Sequence, residues 1–230
     1  MAAGKLVFDA VGEHFYETGV DQCVLYPYDT TNGYKPGVAW NGISSIAENP
    51  DGAEPNDIYA DNIKYLSILS AENYGLTIEA YQSPEEFDQC DGAASIAAGV
   101  VVRGQTRKMF GLSWRTKIGN DVNDDLGYKY HLAWGLKASP SDQTHETVND
   151  SPEASSLSWE AKATPVNVSG YKPIAKMEID STIVDQDKLT TFLAMIYGQD
   201  ADSTVEPPVV ASEAYLPMPA DVIAHFGISG

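Results

Sequence analysis

Apolar and polar positions alternate at period two through most of this chain, and a helical repeat is clear in one place. From Leu76 to Tyr81, Leu76, Ile78 and Ala80 alternate with Thr77, Glu79 and Tyr81, as on a pleated strand with two differently solvated faces. Alternation, with β-branched and aromatic residues, predicts strands over Asp21–Tyr28, Val38–Ala47, Ile58–Leu69, Leu76–Tyr81, Val100–Gly104, Lys108–Ile118, Tyr128–Lys137, Ser155–Ala163 and Ile174–Asp180. Asn32-Gly33, Asn49-Pro50-Asp51-Gly52 and Gly119-Asn120-Asp121 supply turns between them. Two segments read as helix. Ser83 can cap, Pro84 suits a first helical position, and Ser83 with Glu86 forms a capping box, so a short helix is expected to run to Asp91-Gly92. The second runs from Asp185 as N-cap to Gly198, with Leu189, Phe192, Leu193 and Ile196 in one apolar stripe.

Many antiparallel strands with two covering helices indicate a mainly β fold, a sandwich or barrel with one flanking helix and a second, C-terminal one. The chain of 230 residues reads as a single domain, 1–230, with 200–230 as an extended C-terminal arm rich in Pro, Ala, Asp and Glu. Cys23 and Cys90 lack metal-type spacing; a disulfide between them is open, and free, mostly buried thiols of a reducing compartment are the favoured reading. No apolar run is long enough to span a bilayer, and the first residues hold no continuous apolar stretch of a cleaved signal.

Charge changes the picture more. With 14 Lys+Arg against 33 Asp+Glu the formal charge is -19, which argues against ordinary affinity for nucleic acid or anionic membrane. Residues 1–102 hold 3 basic and 16 acidic residues, 103–137 hold 7 and 3, and 138–230 hold 4 and 14. One basic segment therefore sits inside an acidic chain. It either pairs internally with its acidic flanks or faces an acidic surface on another copy.

Candidate chemistry is sparse. Glu85 and Glu86 are adjacent, diverge on a helix surface and serve its dipole better than a reaction. Asp121-x-Asn123-x-Asp125 resembles the start of a calcium loop, but Leu126 and Leu132 stand where Gly and Glu belong, which favours a solvated hairpin loop. His14, His131, His145 and His225 show no paired-ligand spacing and read as surface or packing histidines. Four Trp and thirteen Tyr could line a sugar-binding groove or fill a core, and strand aromatics favour the core. No nucleophile, phosphate or dinucleotide motif is present. The residues point to no catalysis, cofactor or metal.

The segment GVAWNGISSIAENPDGAEPNDIYADNIKYLSILSAENYGLTIEAYQSPEEFDQCDG, Gly37 to Gly92, resembles the signature of the major tail (tail tube) proteins of long, non-contractile-tailed bacteriophages. The likeness continues through Thr106–Asp121, Gly127–Ser141, Val148–Val166 and Leu216–Ile223. It implies a structural virion subunit and no enzyme. Such subunits form hexameric rings that stack head to tail, each giving strands to a β-barrel around the lumen, with a helix on the outer side. The implied partners are other copies, a tape-measure protein, a tail-tip initiator and a tail terminator, with DNA passing through unbound and no membrane contact. The implied location is the virion tail, and the host cytoplasm during assembly. A carbohydrate- or receptor-binding β-sandwich module of a virion is the alternative.

On this reading Arg103, Arg107, Lys108, Arg115 and Lys117 are expected at inter-ring contacts. Glu48, Asp61 and Glu79 are expected to face the lumen as part of a negative wall that repels phosphate at close range. The stretches Asn32–Gly37 and Asn49–Asn56 read as loops that order on assembly. The strands of Tyr65–Tyr81 followed by a helix from Ser83 read as an inner wall element with its outer brace.

Overall fold

Tyr130 to Leu136 are buried without a break, although strand residues normally alternate. The computed structural model, which describes residues 5–141, 143–145, 147, 150, 154–204 and 208–227, gives the reason: this stretch is covered on both faces.

The strands in chain order are β1 (Tyr16–Asp29), β2 (Gly33–Tyr34), β3 (Val38–Ala39), β4 (Ile43–Glu48), β5 (Asp51–Gly52), β6 (Pro55–Ala60), β7 (Ile63–Leu69) and β8 (Glu72–Asn73). They continue with β9 (Gly75–Ala80), β10 (Ala93–Ala97), β11 (Val100–Arg103), β12 (Phe110–Gly119), β13 (Gly127–Ala138), β14 (Leu157–Ala163) and β15 (Lys176–Asp180), followed by helices α1 (Gln186–Tyr197) and α2 (Pro219–Phe226). The main antiparallel sheet runs β2-β1-β12-β13-β14-β9-β4, with β15 on β13 and β3 on β1. Because β3 pairs with β1 and, after the turn at Gly42, β4 pairs with β9, one continuous segment joins both edges and curls the sheet into a barrel-like sandwich.

β13 changes partner partway. Lys129–Ala133 pairs with β15 and Leu136–Ala138 with β14. Gly135 makes the switch: its φ is 65°, and a Cβ there would lie 2.2 Å from the Thr164 carbonyl oxygen. The enclosed face holds Leu25, Trp40, Leu76, Ile78, Phe110, Leu112, Trp114 and Trp159. The outer face carries Val24, Tyr26, Leu132 and Trp134 against Leu189, Phe192 and Ile196 of α1 and Val222 of α2. All four Trp are thus core residues, as are Cys23 and Cys90, which are free thiols. No helix among the described residues is long and apolar enough to cross a membrane.

α1 has its expected cap: the Asp185 carboxylate accepts from the Asp187 and Lys188 amides. Three expectations need correction. The Ser83–Gly92 segment holds only a 3-10 turn, Glu85–Phe87, with Pro84 in the capping position and no side-chain cap. Phe87 decides this, since it is buried against Trp40, Trp159 and Phe110 and pins the chain to the core before a full helix forms. The helix packed on the outer face of the sheet is α1. The region 200–230 is not wholly an extended arm, because Leu216 and Val222 dock α2 onto the α1 side. The stretches Val38–Ala47 and Ile58–Leu69 are each two strands, not one.

Candidate functional site

The longest feature outside the core is the extension of the β4–β9 pair. β4 and β9 lie side by side as far as Glu48 opposite Leu76. The ladder then resumes as β5–β8 and ends as β6–β7, so Ile43–Ala80 forms one long hairpin whose base belongs to the barrel. From Glu48 to Ala60 the contour is about 40 Å at ordinary strand rise. Its tip is the two-residue turn Asp61-Asn62 between Ala60 and Ile63, with φ of 50° and 64°. Positive φ at both positions is the type I′ geometry that matches strand twist, and Asp and Asn tolerate it better than most residues.

Register sorts the two faces of the tip. Opposed residues share a face, so Asn56, Ile58, Ala60, Ile63, Leu66 and Ile68 lie together, and the bulge falls at Tyr65. The other face carries Pro55, Asp57, Tyr59, Lys64, Ser67 and Leu69, where Lys64 Nζ is 2.7 Å from Asp57 and Ser67 donates to the same carboxylate. Every residue of β7 is exposed. Among the described residues the ribbon therefore presents one largely polar face, one apolar face and two edges without a ladder partner. A second exposed hairpin, β10–β11, adds Ile96 and Val100–Val102.

At the hairpin base lies a charged cluster from five strands. Lys176 donates to both oxygens of Glu48, at 2.5 and 2.6 Å, and to Glu178 at 2.5 Å, tying β4 to β15 where no backbone ladder joins them. His131 of β13 lies beneath, its side chain 5% exposed, stacked on Trp114 at 5.1 Å. Its Nε2 is 2.9 Å from Thr116 Oγ1 and 3.2 Å from Glu17 Oε1, and Glu17 also accepts from Lys129. Burial, reinforced by the Lys176 ammonium, holds the His131 pKa below the ordinary histidine value despite Glu178, Glu17 and Glu48. For Glu17, burial acts upward, but hydrogen bonds from Lys129 and Thr116 outweigh it and the pKa is lowered. Glu178 is likewise lowered: burial raises it, and the Lys176 hydrogen bond and charge overcome that.

In comparison with known proteins, the chain matches no family model and no curated protein. Its functional reading rests on its own residues and where the fold places them.

The expected lumen-facing residues separate. Asp61 is at the hairpin tip and not within a strand. Glu79 points out of the barrel, opposite buried Leu76, Ile78 and Ala80, and accepts from Ser45 at 2.8 Å. Glu48 is neutralised by Lys176. The Asn49–Asn56 stretch is hairpin ladder and not a loop, and Gly33–Tyr34 pairs with β1.

The expected basic residues also separate. Arg103 and Arg107 flank Asp91, at 2.8 and 3.9 Å. Arg115 grips Asp21 through two hydrogen bonds of 2.6 and 2.9 Å and lies 3.9 Å above the Tyr128 ring. Lys117 is 3.8 Å from Asp125. Lys108 beside Met109 and Lys137 lines a shallow recess with Tyr28 and Asp29. Most of this strip is internally paired, and the fold spreads it over β11, β12 and the segment between them. The Gly119–Gly127 connection is a hairpin loop in which Asp121 accepts from the Gly12 and His14 amides, so its carboxylate fastens the N-terminal segment. Sequence reasoning missed the His131 cluster, because its members come from separate strands and share no local spacing.

Proposed function

We propose that the protein is a structural subunit that polymerises with copies of itself, as hexameric rings stacked into a tail tube of the siphophage type. The observation that carries the reading is the β5–β8 hairpin, Asp51–Asn73. A two-stranded ribbon alone is marginally stable in water. Exposed apolar edges are an aggregation liability that proteins ordinarily blunt, and this one carries Ile58, Ile63, Leu66 and Ile68 uncovered. Neighbouring ribbons in a ring would cover those edges and close a second barrel around a lumen. The exposed β10–β11 hairpin and the exposed Arg103 would supply contacts between rings, where one surface meets a different surface of the next copy.

In this role the chain carries no reaction. Its partners would be its own copies, a tape-measure protein within the tube, a tip initiator and a terminator, with DNA passing without specific binding. An overall charge of -19 suits such a conduit, since a basic wall would retain phosphate. A receptor-binding module, the alternative, loses the four Trp, which are buried, and keeps only exposed tyrosines such as Tyr59, Tyr65, Tyr81 and Tyr171. Negative-stain electron microscopy of the purified protein tests the reading. Rings or open-ended tubes are expected from the full chain, and a variant with Asp51–Asn73 replaced by a short turn is expected to stay folded and unassembled. Discrete closed oligomers, or tubes formed equally by the shortened chain, would overturn it.

A further inference from the structure

His131 sits between two differently furnished sides. On one side the Thr116 hydroxyl donates to Glu17 at 2.5 Å, so its oxygen is free to accept from His131 Nε2 at 2.9 Å. Nε2 therefore carries the ring proton, and Nδ1 holds a lone pair. On the other side Nδ1 is buried without a hydrogen-bond partner among the described residues, 3.7 Å from Glu178 Oε1 and 4.0 Å from Glu48 Oε1. The Tyr74 hydroxyl is a second buried polar atom without a partner; burial, with the charges of Glu48 and Glu178, raises its pKa. A lone pair facing two carboxylates is repulsive unless a cation lies among them. Lys176 supplies that charge here, but its ammonium has only donors and bonds the carboxylates alone.

We propose that Glu48, His131 and Glu178 form a site for a divalent cation of the zinc class, with the Lys176 ammonium as its tethered competitor. The three ligand atoms already lie within 4.8 Å of one another. A tetrahedral shell with bonds near 2.0 Å needs about 3.3 Å between ligands, a contraction that glutamate torsions can supply. One imidazole with two carboxylates suits zinc and disfavours calcium or magnesium, which take oxygen alone. Glu17 and Thr116 on Nε2 hold the tautomer and orient the ring, the usual support for a ligating histidine. Lys176 has a long flexible stem and can swing into solvent when the cation enters. The bound ion would bolt β4 to β15 at the root of the projecting hairpin. The inference is independent of the assembly reading.

The test is isothermal titration of the full chain with Zn2+ at neutral pH, using wild type, Lys176→Gln and the double variant Lys176→Gln/His131→Asn. Lys176→Gln is expected to bind one Zn2+ at least tenfold tighter than wild type, and the double variant to lose that site. Absence of a stoichiometric site in folded Lys176→Gln, or its persistence in the double variant, would overturn the proposal. Should Lys176→Gln fail to fold, nitrogen-15 NMR of wild type serves instead. Excess Zn2+ is expected to shift His131 Nδ1 and leave Nε2 protonated, and a shift confined to Nε2 or no shift would overturn it. Mg2+ binding as tight as Zn2+ would overturn the assignment to the zinc class.

Discussion

The hydroxyl of Tyr26 donates a 2.6 Å hydrogen bond to the carbonyl of Ile196, joining β1 to the last turn of α1. The carbonyls of a last helical turn have no partner within the helix, so this bond satisfies one of them from the sheet. Ser113 Oγ lies 3.1 Å from the same hydroxyl and completes a buried chain. Replacing Tyr26 by Phe leaves both groups unpaired at nearly unchanged volume. The expected loss is about 1–3 kcal/mol, read as a lower urea midpoint with an unchanged slope. A variant within 0.5 kcal/mol of wild type, by the same measurement, would mean that apolar packing alone holds α1.

How far the fold could be read beforehand depended on the range of the signal. The Asp185 cap, the Leu189, Phe192 and Ile196 stripe and the closing Gly198 are local, and each is found as expected. So is the Leu76, Ile78, Ala80 face of β9. The Asp61-Asn62 turn escaped because it contains no Gly or Pro, and only its positive φ angles reveal it. The Ser83 capping box failed for the opposite reason: its local signal was sound, and the tertiary contact of Phe87 overrode it. The His131 cluster was beyond reach, since Glu48 and Lys176 meet only once the sheet has curled.

That cluster sets an acid limb of stability. The His131 pKa lies below its ordinary 6.5, so the unfolded chain takes up a proton first, and its contribution is lost as pH falls from about 6.5 through the folded value. Glu17 and Glu178, lowered from 4.5, add their losses further down as pH drops below that value. The melting temperature is expected to decline between pH 7.5 and 5.5 in wild type and to be nearly flat there in His131→Asn. A flat wild-type profile, or an equal decline in the variant, contradicts the assignment.

Within the basic segment the structure separates residues that hold the subunit together from residues that could meet another copy. Arg115 is largely covered and grips Asp21, so Arg115→Glu is expected to destabilise the subunit by about 1.5–3 kcal/mol. Arg103 and Lys117 are more exposed, but Arg103 bonds the largely covered Asp91, so reversing both is expected to cost about 1–2 kcal/mol and leave the subunit folded. On the assembly reading the same double reversal shortens or abolishes tubes, measured as tube length by electron microscopy against the melting temperature of the free subunit. Tubes of normal length from that double variant would remove this segment from the stacking interface.

The two faces of the β6–β7 ribbon make the assembly reading specific. On one face the Asp57–Lys64 pair cancels its own charge and Ser67 is wet, which suits a water-filled channel with Asp61 at its rim. On the other, Leu66 and Ile68 stand beside Ile58 and Asn56 and remain 37% and 52% exposed. Since Leu66 and Ile68 are already exposed in the subunit, changing both to Lys should alter its stability by no more than about 0.5 kcal/mol. On the assembly reading it would, however, put two charges on the outward face of the ribbon barrel where that face packs on neighbouring copies, and desolvation there without a partner costs several kcal/mol. Leu69→Lys, on the opposite face, is the control: Leu69 is 67% exposed against 37% for Leu66 and 52% for Ile68, and on the assembly reading it turns to the channel. The double variant is expected to remain monomeric by sedimentation velocity while Leu69→Lys forms tubes. The reverse outcome would exchange the two faces, with the apolar side lining the channel and the polar side buried between copies.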